Sequence, residues 1–334
     1  MGSLDTGKYG SGVRTVDFAR FFSDDAKVRA RLCEELVGCL ATVGFVKLIN
    51  HGIGGDEIRQ AFDINRRFFR LAPEAKEKAA HPPEPNPHRG YSYVGQEKLS
   101  MVKDYEKGSR EVLDVFDVKE SYDQGPAVDE LYPNRWPDED DVPGFRATAS
   151  SFYQRCHEAH QDILRALAMG LGLGATFLLD LCEPNSSEMR LNHYPGGPVS
   201  AMGRGARRIS EHTDFGTMTL LFQDSVGGLE VEDQRQPGSY FAVPRESPDE
   251  MIVNVGDCLQ RWTNDGFRSA SHRVVLPDDQ DAWVDDRYSI AYFGKPSRAQ
   301  PVGSRRELLR DGEEPRYENM TAWEYNQEKL VRTY

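Results

Sequence analysis

The chain has 334 residues, enough to bury a sizeable core, and its 38% hydrophobic and 28% charged residues are ordinary for a soluble globular protein. A formal net charge of −13 repels phosphate backbones and anionic bilayers, which argues against nucleic-acid and membrane partners. Five cysteines, with no C-x-x-C pair, argue against a disulfide framework or a zinc site and predict free thiols in a reducing compartment.

The opening MGSLDTGKYG lacks the basic and apolar regions of a signal peptide. No apolar run approaches the roughly 20 residues that span a bilayer. A cytoplasmic location is therefore expected. VRTVDFARFF reads as a short strand before a turn at Ser23-Asp24-Asp25. From Ala26 to Thr42, helical spacing of Val28, Leu32, Leu36 and Leu40 predicts a helix that Asp24 or Asp25 would cap. GFVKLIN (44–50) reads as a strand, Gly55 to Arg70 as a second helix, and the Pro-rich stretch 81–90 as loop. The acidic stretch Ser121 to Pro143 is also predicted as loop, followed by a long helix from Phe145 to Met169.

From Glu188 onward, short β-rich runs alternate with Gly, Pro and Asp turns: MRLNHYP, GTMTLLFQ, GLEVED, SYFAVP, EMIVNVGD, SHRVVLP and RYSIAYFG. Their spacing predicts a barrel or jelly roll. Met320 to Val331 reads as a terminal helix.

Three clusters in this half carry chemistry. His212 and Asp214 stand two apart, and on extended backbone such residues share a face. His272 follows after 57 intervening residues, enough chain to circle a barrel and return. Two imidazoles and one carboxylate form the facial triad of non-haem iron(II) oxygenases. The H-x-D triplet alone is common, and a turn would explain it as well. Arg287 and Ser289 also share a strand face. A guanidinium inside an apolar barrel needs an anion, either a bound dicarboxylate or the neighbouring Asp285 or Asp286. Asn192 and Tyr194 share a face in RLNHYP, either toward the same site or as a packing Tyr with a solvated Asn. His157 and His160 are spaced i, i+3 on the long helix, which suggests either a second metal site or a packed or solvated face.

These elements together resemble the isopenicillin N synthase-like family of 2-oxoglutarate and iron(II)-dependent oxygenases, including enzymes of plant and fungal secondary metabolism. The resemblance rests on GFVKLINHGI (44–53), RGY (89–91), DVKESY (117–122), NRWP (134–137), RLNHYP (190–195, with His193 where the family usually has Tyr), EHTDFGTMTLLFQD (211–224), GDCLQRWTNDGFRSASHRVV (256–275) and RYSIAYF (287–293). It implies a mainly β fold: a distorted double-stranded β-helix, or jelly-roll, core with flanking helices, preceded by an α/β N-terminal region. The expected division is 1–185 packing on the core, 186–300 as catalytic core and 301–334 as helical tail.

The resemblance assigns iron(II) to His212, Asp214 and His272. It assigns 2-oxoglutarate to Arg287, Ser289, Tyr194 and Asn192. It implies a dioxygenase that uses O2 and 2-oxoglutarate to oxidise a small organic metabolite, by hydroxylation or by desaturation, ring closure or ring expansion, with no obligate protein partner. A same-fold iron oxidase that does not consume 2-oxoglutarate and a non-catalytic small-molecule receptor are the alternatives. Tyr91, Tyr93, Met202, Arg204, Phe222, Phe293 and Trp323 are the expected substrate contacts. They do not identify the substrate.

Overall fold

A computed structural model describes residues 12–82, 87–96, 117–202, 207–279 and 281–333. The N-terminal portion runs β1 (Thr15–Asp17), α1 (Ala26–Val43), β2 (Phe45–Ile49), α2 (Gly55–Phe69), α3 (Pro73–Glu77), β3 (Gly90–Ser92), β4 (Glu120–Gln124), α4 (Phe145–Gly170) and α5 (Phe177–Asp180). The remainder runs β5 (Glu188–Tyr194), β6 (Gly197–Pro198), β7 (Ile209–His212), β8 (Met218–Gln223), β9 (Leu229–Glu232), β10 (Tyr240–Ala242), β11 (Met251–Val255), α6 (Asp257–Trp262), β12 (His272–Val274), β13 (Trp283–Val284), β14 (Arg287–Gly294) and α7 (Ala322–Thr333). None of the described helices is long and apolar enough to cross a membrane.

Local chemistry sets the helix ends. Asp25 caps α1, accepting a hydrogen bond from Lys27 N at 2.8 Å. Gly44 ends that helix at φ +78°, and a Cβ there would lie 2.5 Å from Arg268 O. Both the left-handed turn and the close approach therefore require glycine. At the start of α7, Glu324 N donates to Thr321 Oγ1 and Thr321 N donates to Glu324 Oε2, a reciprocal capping box.

The strands form an eight-stranded sheet in the order β1-β2-β11-β8-β14-β5-β4-β3, a four-stranded sheet β10-β9-β12-β7 and a small pair β13-β6. Only the β1–β2 pairing of the large sheet is parallel. N-terminal strands thus share one hydrogen-bonded sheet with the later ones. Residues of both larger sheets line one cavity between them.

The large sheet is buried on both faces, and its period-2 alternation divides the labour. Leu220, Phe222, Leu191, Ile290 and Tyr292 join α1, α2 and α4 in the main hydrophobic core. The alternate residues Asn192, Tyr194, Thr219, Leu221, Ser289 and Ala291 line the cavity.

Several sequence expectations change. Beyond Asp17 the expected N-terminal strand becomes a 3-10 turn, Phe18–Phe22, whose first cap is the Asp17 side chain. The stretch predicted as acidic loop begins with β4. The two carboxylates of this strand are buried because each has a cationic or hydrogen-bonding partner: Glu120 meets Lys76, Tyr91 and His193, and one oxygen of Asp123 meets Arg190. All five cysteines are buried and unpaired.

His160 lies under the sheet, with Nε2 3.1 Å from Thr217 Oγ1, and His157 Nδ1 is 3.0 Å from the Tyr292 hydroxyl. The packed reading of this pair holds. Burial, with His157 adding a smaller push, lowers the His160 pKa to about 3. Its ordinary value is 6.5, so the unfolded chain binds a proton between these pH values that the fold excludes. Stability contributed by neutral His160 is complete above pH 6.5 and lost as pH falls toward 3. Thermal melting followed from pH 7 to 4 is expected to show a falling Tm, with a shallower slope in His160→Gln. Equal slopes would refute this origin.

Candidate active site

His212 closes β7 and His272 opens β12, and the two residues face each other as register partners in the smaller sheet. Their ring centroids are 4.3 Å apart. Nδ1 of His212 lies 2.8 Å from Ser210 O, and Nδ1 of His272 lies 3.2 Å from Ala270 O. Each backbone carbonyl engages one ring nitrogen and leaves Nε2 directed at Asp214, 3.8 Å away in both cases. The ligand atoms of the three residues lie within 4.8 Å of one another. A metal ion roughly 2.0–2.2 Å from each ligand atom spans the 3.8 Å between either Nε2 and the Asp214 carboxylate.

Asp214 is fixed from behind. Its Oδ2 accepts hydrogen bonds from Thr219 Oγ1 at 2.6 Å and Asn254 Nδ2 at 2.7 Å. Burial opposes its ionisation, but the two imidazoles and these two donors outweigh that penalty and hold its pKa below the ordinary value. Burial, then His272, lowers the His212 pKa to about 4 against the attraction of Asp214. At neutral pH this ring is uncharged and carries no proton-borne charge that would oppose a cation. Two imidazoles and one carboxylate on one face fit iron(II) and leave further positions open.

Beside the triad, β5 and β14 pair Tyr194 with Arg287 and Asn192 with Ser289. All four side chains line the cavity that contains the triad. Asn192 Nδ2 and the Tyr194 hydroxyl approach Ser289 Oγ at 3.3 and 3.4 Å. Arg287 is 1% exposed and lies over the Tyr194 ring. It donates to Gly227 O at 2.8 Å and Gln223 Oε1 at 3.0 Å, while its Nη1 is buried without a partner. Asp285 and Asp286 do not pair with it. Asp285 O accepts from Arg208, and the Asp286 carboxylate accepts from Gly196 N. A buried guanidinium with an unmet N–H and no carboxylate partner is a receptor for an anion.

A second cavity shares His212, Asp214, Arg190 and Phe293 with the first. His88, Asp123, Glu188, Arg190, Phe293, Lys295, Asn326 and Leu330 contribute to its wall. Of the expected substrate contacts, Phe293 lines both cavities. Phe222 does not, because its strand parity turns it to the helices, where it packs edge-on against Phe152. Tyr91 donates to Glu120 and packs against Phe68. Tyr93 is 61% exposed, Met202 ends a 3-10 turn outside both cavities, and Arg204 lies outside the described residues. Trp323 stacks on Tyr132 and lines a neighbouring crevice. Arg190 could have been found from sequence, since it stands two residues before Asn192 on the same strand face. Asp123 could not, because the segment holding it reads as loop.

Residues 185–296 match the 2OG-Fe(II) oxygenase superfamily, and residues 13–139 match the N-terminal region described as non-haem dioxygenase in morphine synthesis. The 2-oxoglutarate-Fe(II) type oxidoreductase ppzD of Metarhizium rileyi is 64% identical over 322 residues, covering 96% of this chain and 91% of that protein. The chain belongs to the 2OG-Fe(II) oxygenase superfamily. Another member, the proline hydroxylase buaE of Petromyces alliaceus, is 52% identical over 324 residues, covering 96% of this chain and 99% of its own. Among solved structures, a full-length Neurospora crassa protein in complex with alpha-KG superposes with a TM-score of 0.84 at 34% identity, covering 96% of each chain. That Neurospora protein has also been solved in complex with alpha-KG and thymine. The chain described here is accordingly a 2-oxoglutarate-dependent iron(II) dioxygenase with a jelly-roll core.

The buried support of Asp214 yields a test. His212→Ala or His272→Ala should abolish turnover and most iron binding. Asn254→Ala keeps all three ligands but removes one of the bonds that aim Asp214, and should weaken iron binding by about 10- to 100-fold. Iron titration of the three variants checks both levels, and wild-type affinity in Asn254→Ala would refute the supporting role.

Proposed function

We propose that the protein hydroxylates a carbon of a free amino acid of the proline type, in fungal secondary metabolism. His212, Asp214 and His272 would hold iron(II), with Arg287, Ser289, Tyr194 and Asn192 holding 2-oxoglutarate. The observation that carries the co-substrate assignment is the buried, unmet Nη1 of Arg287 in the same cavity as the triad. The amino-acid assignment is supported by the activity of the 52%-identical proline hydroxylase and by the charges in the second cavity, where Arg190, Lys295, Asp123 and Glu188 present both signs. A zwitterion complements such a wall, whereas a neutral ring leaves it unmatched.

When bound, iron(II) and 2-oxoglutarate supply oxidising power from O2, with the co-substrate converted to succinate and CO2. The chain's own residues position and enclose. Arg287 and Ser289 would anchor the distal carboxylate of the co-substrate and so fix its other end at the triad. Asn254 and Thr219 hold Asp214 in one orientation. Phe293, at the boundary of the two cavities, separates co-substrate from substrate and limits water between them. Asn326 and Leu330 of α7 close the substrate side.

A screen of free amino acids and nucleobases for substrate-stimulated succinate formation tests the proposal. L-Proline or a close analogue should stimulate it, and stimulation by thymine alone would overturn the amino-acid reading. For the co-substrate, Arg287→Lys keeps the charge and loses the planar fork. Loss of one charge-assisted bond, roughly 1.5–3 kcal/mol, should raise the KM for 2-oxoglutarate by about 10- to 150-fold with iron affinity unchanged. An unchanged KM would reopen the oxidase alternative.

A further inference from the structure

The sheet registers arrange the polar face as rows. Gln223, Ser289, Asn192 and Ser121 form one row across β8, β14, β5 and β4. Leu221, Ala291, Arg190 and Asp123 form the next. The first row contains Ser289 and Asn192, two of the four proposed co-substrate residues; the other two, Arg287 and Tyr194, are register partners two residues away on the same strands. The second leads from the cavity between the sheets into the second cavity, which both Arg190 and Asp123 line.

Asp214 apart, the two carboxylates lining that second cavity differ in how they are satisfied. Glu188 uses both oxygens: Oε1 accepts from Arg89 at 2.9 Å and Oε2 pairs with Lys295. Burial alone would raise its pKa, but Lys295 and Arg89 pull it down to about 2, so it is an ionised, fully committed structural anion. Asp123 uses one oxygen. Its Oδ1 accepts from Arg190 Nε at 2.8 Å, while Oδ2 is buried and has no partner. The residue is 1% exposed and lines the second cavity. A buried carboxylate oxygen without a donor is costly, and one in the wall of a ligand cavity has a donor supplied by the ligand.

We propose that Asp123 Oδ2 receives the protonated amine of the substrate and makes the enzyme selective for a basic nitrogen. This rests on the free amino acid reading above. Arg190, held by Asp123 through Nε and 3.0 Å from His88 Nδ1 through Nη2, keeps the carboxylate oriented. Asp123 is thus a binding residue, and Arg190 a positioning residue for it. A neutral substrate leaves Oδ2 unmet and is disfavoured by the loss of that bond.

The test uses the full-length enzyme loaded with iron(II) and 2-oxoglutarate. L-Proline and N-acetyl-L-proline are compared by succinate formation and, without O2, by calorimetric binding. Asp123→Asn preserves the acceptor for Arg190 and replaces Oδ2 by an amide N–H. The variant should raise KM and Kd for L-proline by about 10- to 150-fold, leave 2-oxoglutarate Kd unmoved and narrow the preference for L-proline over its N-acetyl derivative. A purely structural role would shift both ligands and 2-oxoglutarate together. Should Asp123→Asn fail to fold, Asp123→Ser removes the charge with a smaller side chain and is read in the same way.

Unchanged L-proline Kd in the variant, or equal wild-type affinity for the N-acetyl compound, overturns the assignment of Asp123. If wild type ignores L-proline but oxidises another amine, only the proline identity fails, and that amine and its N-acetyl derivative take the place of the proline pair. A substrate with no basic nitrogen overturns both readings.

Discussion

A strand buried on both faces has to satisfy two environments at once, and the large sheet depends on this constraint. In β14, Tyr288, Ile290 and Tyr292 belong to the helix-side core, while Arg287, Ser289, Ala291 and Phe293 face the cavity. Every second residue is free to be chosen for chemistry because its neighbours hold the fold. The same division in β5 puts Arg190, Asn192 and Tyr194 beside them, so the register of two adjacent strands assembles the polar face without a loop. A slip of one residue would exchange the two sets and bury the guanidinium among α2 and α4.

Rigidity follows from the same arrangement. Asp214 sits on a short connection after β7, yet it is immobilised by Thr219 on β8 and Asn254 on β11. The ligand is thereby referred to the large sheet although the two histidines are carried by the small one. The candidate metal site is a joint between sheets, and the backbone carbonyls of Ser210 and Ala270 orient its imidazoles.

The His212–Asp214 pair, the β14 pair and the jelly-roll class could be read from sequence because each is a short-range pattern: two apart on a strand, or short runs at regular spacing. His272, with 57 residues between it and Asp214, joins the first pair through the family resemblance. The substrate side was harder to read. Phe222 and Phe293 are both aromatic residues in β-rich runs, and only their parity relative to Thr219 and Ser289 separates a core side chain from a cavity side chain. Asp123 and Glu120 lie in a strand whose acidic composition suggests loop. Their burial depends on Arg190, Lys76 and His193, partners as far as 73 residues away. Long-range charge pairing is invisible to any local pattern.

The end of the chain is tied to the centre through one buried group. Asp257 Oδ2 accepts from Thr213 Oγ1 at 3.2 Å and Tyr325 OH at 3.0 Å, and it also pairs with Lys329. Thr213 stands between two members of the triad, and Tyr325 and Lys329 belong to α7. The helix therefore presents two sets of residues: Tyr325 and Lys329, which moor it, and Asn326 and Leu330, which line the second cavity. Changes at the second set leave the mooring intact. The fold in this way separates the wall of the cavity from the anchorage of the helix that forms it, so the cavity's shape and the placement of the triad are set by different side chains.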